Sequence, residues 1–408
     1  MFLKVFLTMS VLMQVAQPKN LKEEYDPILY SRALKIARET IILDGHIDVP
    51  YRLGKKKDNV SESTESGDFD YPRAVKGGLN APFMSIFIPA ELQQTPGASK
   101  VFAEDLIRMM DSLITKNPDK FSHAKTPDDV LVNFKKGIIS LPYGMENGSA
   151  IEKDLANVAY FFDKGIRYIT LTHGKKNLIC DSSYDPDKSW GGLSDFGRKV
   201  IAEMNRVGIM VDLSHVSDST FYQALRLSKT PPICSHSSLR FFTPGWERNV
   251  DDDMLQALAA RGGVIQINFG SAFLTEKANK NTLASWDYRD KFMIEHGITD
   301  ENDERIKSEM ARYKAEHPYP FADIQDVANH IDRAVKMVGI DHVGLGSDFD
   351  GVGDSLPTGL KSVADYPNLI YLLLKKGYSE ADITKILSGN VLRVWQQVMD
   401  YAKQHASN

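Results

Sequence analysis

Cysteine is almost missing from this chain: Cys180 and Cys234 are the only two in 408 residues. So few exclude a disulfide-built scaffold and any cysteine-rich zinc or iron–sulfur site. One lies in a polar stretch and the other in an apolar one, which reads as two free thiols. Lys and Arg form no cluster interleaved with aromatics, and the formal net charge is -5, which argues against a nucleic-acid partner. Beyond the N-terminus no apolar run is long enough to span a bilayer. Several catalytic signatures are missing as well: there is no Gly-x-Ser-x-Gly elbow, no His-Glu-x-x-His helix and no P-loop. Asp348-x-Asp350-Gly351 opens like a calcium loop, but Val352 and the lack of a closing Glu break that pattern.

What is present is an ordinary globular composition, 42% hydrophobic, with enough apolar residues for a large core. Met1 to Met13 reads as a short charged region followed by an apolar one, so residues 1–16 are expected to be a signal peptide cut near Ala16, although Gln14 suits that cut poorly. Export to a periplasmic or extracellular space follows from that reading; the alternative is an N-terminal helix packed on a cytoplasmic domain. Strand and helix patterns then alternate. Strands are expected at 41–49, 81–88, 136–141, 165–172, 208–213, 232–235, 262–268 and 342–346, with helices between them, among them one capped by Ser194. Eight such units predict a single (β/α)8 barrel over residues 17–408, of the α/β class. A charged excursion over about 271–320 is too poor in apolar residues for its own core. It reads as an elaborated loop or lid after strand 7, with one or two helices within 300–316.

Strand-ending residues of such a barrel converge on one face. His46 and Asp48 are one residue apart on an extended segment, so they face the same way about 7 Å apart, as a pair of divalent-metal ligands would. Glu146 follows the third strand, His173 the fourth, His215 the fifth, His236 the sixth and Asp348 the eighth. Any one of these would be unremarkable; their shared position is the signal. His123, His296, His317, His330 and His342 lie in polar or helical contexts and read as structural or solvated, and Asp212 inside a strand reads as buried and bonded.

The stretches around these residues resemble the membrane (renal-type) dipeptidase family, zinc dipeptidases of the amidohydrolase barrel type. Those that carry the likeness are Asp44-Gly45-His46-Ile47-Asp48, Met145-Glu146-Asn147-Gly148, Thr170-Leu171-Thr172-His173, Asp212-Leu213-Ser214-His215, Ser235-His236-Ser237-Ser238, Arg248-Asn249-Val250 and Gly346-Ser347-Asp348-Phe349-Asp350-Gly351. The resemblance implies two zinc ions per subunit bridged by Glu146, one also held by His46 and Asp48, the other by His215 and His236. It implies that His173 binds the substrate carbonyl and oxyanion, that Asp348 handles the proton, and that Arg248 holds the C-terminal carboxylate of a dipeptide. It further implies a homodimer and hydrolysis by a metal-activated hydroxide. Where the family commonly has Glu-Gly-Gly, this chain has Glu146-Asn147-Gly148, so the backbone beside the bridging residue is expected to be less free. Two other readings stand beside this one: a different amidohydrolase-type metal hydrolase, and a catalytically silent barrel that binds peptides. A deaminase or phosphotriesterase usually shows His-x-His at the first strand, whereas this chain has His46-x-Asp48. Without the family likeness, Arg248 would read as a surface partner of the acidic run Asp251-Asp252-Asp253.

Overall fold

Eight parallel strands, each bonded to the next in chain order, make up the main sheet of the computed structural model, which describes residues 25–405. The signal-like segment lies outside the described residues. The strands are β1 (Ile42–Ile47), β2 (Leu79–Phe87), β3 (Tyr143–Glu146), β4 (Ile166–Thr170), β5 (Met210–Asp212), β6 (Ile233–Cys234), β7 (Val264–Ile267) and β8 (Val343–Leu345). Apart from Asn80 and Phe87 every strand residue is buried. That is what a sheet covered on both faces requires, and it explains why the strands read as near-continuous apolar runs.

The two edges meet where β1 ends. Ile47 bridges Phe349 in parallel, Asp348 N donates to His46 O (3.0 Å) and Asp48 N donates to Phe349 O (2.9 Å). The result is a nearly closed α/β barrel. Its seam is built from the residues that the sequence reading singled out. At the opposite end the helix Asn390–His405 lays Trp395 under the barrel, in a buried cluster with Leu43, Phe83, Tyr168 and Met210. The Phe83 and Trp395 rings are 5.3 Å apart. The larger apolar layer lies between the strands and the outer helices.

The third strand differs from expectation. Residues 127–136 form a helix (Pro127–Lys136) opened by a reciprocal cap between Thr126 and Asp129 and closed by Gly137 at φ 71°. Ile139–Ser140 then pairs with Phe121–Ser122 in a separate two-stranded sheet. The barrel strand starts after Pro142, so Glu146 is its last residue rather than one that follows it. The run Ile138-Ile139-Ser140-Leu141 has the higher strand propensity, but Tyr143-Gly144-Met145-Glu146 is the segment that fits the barrel. Gly144 has a specific reason: a Cβ there would lie 2.0 Å from the Tyr168 ring.

Ser194 caps Asp195–Val207 as expected, accepting from Gly197 N. The first strand, expected over 41–49, ends at Ile47, and Pro50 sits in the first turn of the helix Val49–Lys55, where its missing N–H costs nothing. Within 271–320 the expected charged helix is Glu304–Glu316, and a longer helix, Glu276–Glu295, precedes it. Only Ala278 and Asn279 of that longer helix are buried, so it carries almost no apolar periodicity to read. The helix Asn390–His405 follows directly on a π-type turn at Lys385–Gly389. Cys180 and Cys234 are separate, buried thiols. No described helix is long and apolar enough to cross a membrane.

Candidate active site

His46, Glu146, His236 and Asp348 at the top of the barrel are each backed by a second polar group, whereas His215 Nδ1 is buried with no partner. His46 Nδ1 lies 2.7 Å from the Tyr168 hydroxyl, which leaves Nε2 facing the site. Beneath it Asp44 accepts from the backbone N–H groups of His46 and Ser347 (2.9 Å each) and from the Tyr366 hydroxyl, tying β1 to the strand beside it. His236 is fixed in the same manner. Ser235 Oγ donates to Asp212 Oδ2 (2.5 Å), so it accepts from His236 Nδ1 (2.8 Å), and Nε2 is left as an acceptor. Asp212 is buried and fully bonded, taking further bonds from Thr170 Oγ1, Ser214 N and Ser235 N. His215 and Asp348 both sit at positive φ, 68° and 63°. Such backbone costs of order 1–3 kcal/mol and persists only where the surroundings enforce it.

Glu146 stands at the centre. Its Oε2 is 3.3 Å from His46 Nε2, and its Oε1 is 3.1 Å from His215 Nε2 and 3.2 Å from His236 Nε2. His173 Nε2 is 3.7 Å from Oε1, and Asp48 Oδ2 is 3.4 Å from His46 Nε2. Asp348 joins His46 and Asp48 in a third close group. A Cβ on Gly351 would fall 2.2 Å from both Asp48 Oδ2 and Asp348 Oδ1, so only glycine lets these two carboxylates close over it. Every metal-ligating or catalytic residue predicted from the sequence is therefore in one cluster.

Burial pushes His215 and His236 well below the usual imidazole range, helped by Arg248 at His215 and by His46 at His236, so both are neutral bases. Burial opposes ionisation of Glu146, yet His46, His173, His215 and His236 outweigh it and keep the carboxylate charged. Burial pulls His46 down, but Tyr168, Glu146 and Asp48 together hold it well above its ordinary value. Asp348 is raised to about 8 by burial and by Asp48. Its Oδ2 accepts from Asn268 Nδ2 (2.8 Å). The donor set fits a divalent cation. His46 Nε2 and Asp48 Oδ1 are buried with no hydrogen-bond partner, and the Nε2 atoms of His215 and His236 face each other at 2.8 Å.

Residues 30–408 match the model of the membrane dipeptidase family, peptidase family M19. The chain belongs to that family. An uncharacterized dipeptidase of Schizosaccharomyces pombe is 31% identical over 399 residues, covering 93% of this chain and 85% of that protein. A crystal structure described as a probable dipeptidase of Pseudomonas aeruginosa superposes with a TM-score of 0.80 at 26% identity, covering 93% of this chain and all of the other. Another, described as dipeptidase AC, a metallopeptidase, gives 0.72 at 25% identity over 88% of this chain and 99% of that one. As a membrane dipeptidase the chain is a hydrolase, a metallodipeptidase.

In this dipeptidase Arg248 turns toward the cluster and away from the acidic run. Its guanidinium donates to Ser237 Oγ and His236 O (2.8 Å each), and Nη2 is 3.0 Å from His215 Nε2. Arg240 and Arg333 pair with Asp251 and Asp252 instead. Asn147 adopts φ 75°, the conformation a glycine would take freely, and its side chain is fully used. It donates to Ile88 O and Gln93 Oε1 and accepts from Asn177 Nδ2, joining the loops after β2, β3 and β4. The remaining histidines stay outside the cluster; His330, for example, bridges Leu239 N and Leu274 O. The supporting residues Tyr168 and Asn268 were not among those predicted. Asn268 directly follows β7, so the strand-end rule reaches it. An inward-facing tyrosine looks like any core aromatic in sequence.

Proposed function

We propose that this dipeptidase is a binuclear zinc enzyme that hydrolyses free dipeptides. The observation that carries the proposal is the division of labour at Glu146: Oε2 faces His46 beside Asp48, while Oε1 faces His215 and His236. One zinc would take His46, Asp48 and Glu146, the other His215, His236 and Glu146. Nitrogen and oxygen donors with no cysteine suit zinc in a catalytic setting. When bound, such a pair lowers the pKa of a water to about 7 and polarises a carbonyl, against two carboxylate charges from Asp48 and Glu146.

The chain's own groups do the rest. His173 lies at the rim of the cluster, with burial and Arg248 lowering its proton affinity, and would bond the scissile carbonyl oxygen. Asp348, fixed by Asn268, would take the proton of the attacking water and pass it to the leaving amine. Arg248 anchors the C-terminal carboxylate, which limits the substrate to two residues.

The test is zinc analysis of the purified protein together with a dipeptide assay before and after chelation. About two zinc ions per chain, hydrolysis lost on chelation and recovered with zinc are expected. Full hydrolysis by the metal-free protein overturns the proposal. A zinc-loaded protein that cleaves no dipeptide favours the silent barrel, and one that prefers a non-peptide amide favours another amidohydrolase chemistry.

A further inference from the structure

Helix Glu276–Glu295 buries only Ala278 and Asn279, yet it carries a tryptophan, Trp286, that is 39% exposed. Its neighbours Ser285, Asp287, Tyr288 and Arg289 are polar, so the indole is no part of a helix core. It points instead at Tyr184, with ring centroids 6.1 Å apart. Tyr184 in turn lies 5.8 Å from the ring of His215, inside the catalytic cluster. A path of two rings therefore leads from the reacting centre to the inserted helix.

Arg248 shares this side of the mouth. Its guanidinium lies 5.0 Å over the Phe273 ring, Phe273 packs on Trp246 at 4.9 Å, and Trp246 meets Tyr184 at 6.2 Å. Lys188 and Glu247, close in sequence to Tyr184 and Arg248, are paired with each other at 2.9 Å. Neither is free to receive a charged substrate side chain.

We propose that Trp286 and Tyr184 form the wall that selects a large apolar or aromatic side chain on the C-terminal residue of the dipeptide. The inference rests on the proposal that Arg248 holds that residue's carboxylate, because the carboxylate fixes the adjoining side chain beside Tyr184. Aromatic faces with no free charge favour rings and branched chains over Asp, Glu or Lys. The selecting residue thus comes from the insertion and not from the barrel.

The experiment compares Ala-Phe, Phe-Ala and Ala-Gly as substrates of the zinc-loaded wild type, Trp286→Ala and Trp286→Phe. For Trp286→Ala, kcat/KM on Ala-Phe is expected to fall about 5- to 20-fold, mainly through KM, with less than about a twofold loss on Phe-Ala and Ala-Gly. Trp286→Phe should recover most of the Ala-Phe rate. Equal losses on all three substrates, or no loss on Ala-Phe, overturn the assignment while leaving the dipeptidase reading intact. A larger loss on Phe-Ala than on Ala-Phe overturns the assigned position. A wild type that cleaves none of the three removes the proposed function itself, and this inference with it.

Discussion

The floor of the site and its rim are made on different terms. On the floor, His46, Glu146 and His236 come from strands or strand ends, are almost wholly buried, and each has another polar group at its back: Tyr168, Ser85 and Ser235. At the rim, the insertion 271–320 is held largely by exposed pairs between near neighbours in sequence. Arg312 and Glu316, for example, pair at 2.9 Å with side chains 56% and 54% exposed. Solvent screens pairs of that kind, so they add little to stability. The difference is instructive. Chemistry needs donors held to fractions of an ångström, which a closed sheet supplies, while selection needs a surface that can change without disturbing those donors.

Breaking the comparison means finding a floor residue that tolerates change, or a residue away from the floor that does not. Arg248 is the sharpest case because it is buried with the floor but belongs to a loop. Charge-assisted bonds to a carboxylate are worth about 1.5–3 kcal/mol, so Arg248→Met should lower kcat/KM for free dipeptides by roughly 10- to 150-fold. A C-terminally amidated dipeptide should start poor and change little. Equal losses on acid and amide would assign Arg248 to support of His236 and Ser237 instead.

A second prediction concerns the supports alone. Asp212→Asn keeps the size of the side chain but turns one acceptor into a donor facing Ser235, so His236 Nδ1 loses its fixed partner. Zinc affinity should fall by about 10- to 100-fold, with most activity recovered at saturating zinc. An unchanged zinc competition titration would mean that the support is dispensable.

The smallest effect on activity is expected at His330, buried on the outer side of the barrel. Burial holds its imidazole at about 4, against roughly 6.5 in the unfolded chain. The folded state therefore resists protonation. The stability present above pH 6.5 is lost as pH falls toward 4, by up to about 3 kcal/mol. His330→Gln, which can still accept and donate, should flatten that slope in denaturant unfolding and leave hydrolysis intact. Identical slopes in the two proteins would count against it.

The floor was legible because its chemistry sits at strand ends, where a polar residue interrupts an apolar run; His46, His173, His215, His236 and Asp348 all announce themselves in that way. Glu146 was legible for a partly mistaken reason. The Ile-rich segment before it resembles the strand, whereas the true strand is short and carries Gly144, whose lack of a side chain makes room for Tyr168. The helix Pro127–Lys136 was overlooked although Thr126, Pro127 and Asp129 spell its start. Glu276–Glu295 had no such spelling: a helix with one face barely buried leaves little period to detect. Partners such as Tyr168 and Tyr184 depend on contacts between distant segments, which spacing along one segment cannot reveal.

The central claim is that the two oxygens of Glu146 serve two different metal ions, and elemental analysis of Glu146→Gln beside the wild type tests it most directly. The amide keeps the shape but presents one acceptor oxygen and one NH2 group, so one of the two donor sets must lose its partner. The account predicts about two zinc ions in the wild type. It predicts at most one in the variant, with dipeptide hydrolysis lost and the thermal unfolding of the zinc-free proteins little changed. A variant that holds both ions and turns over dipeptides at the wild-type rate would contradict it.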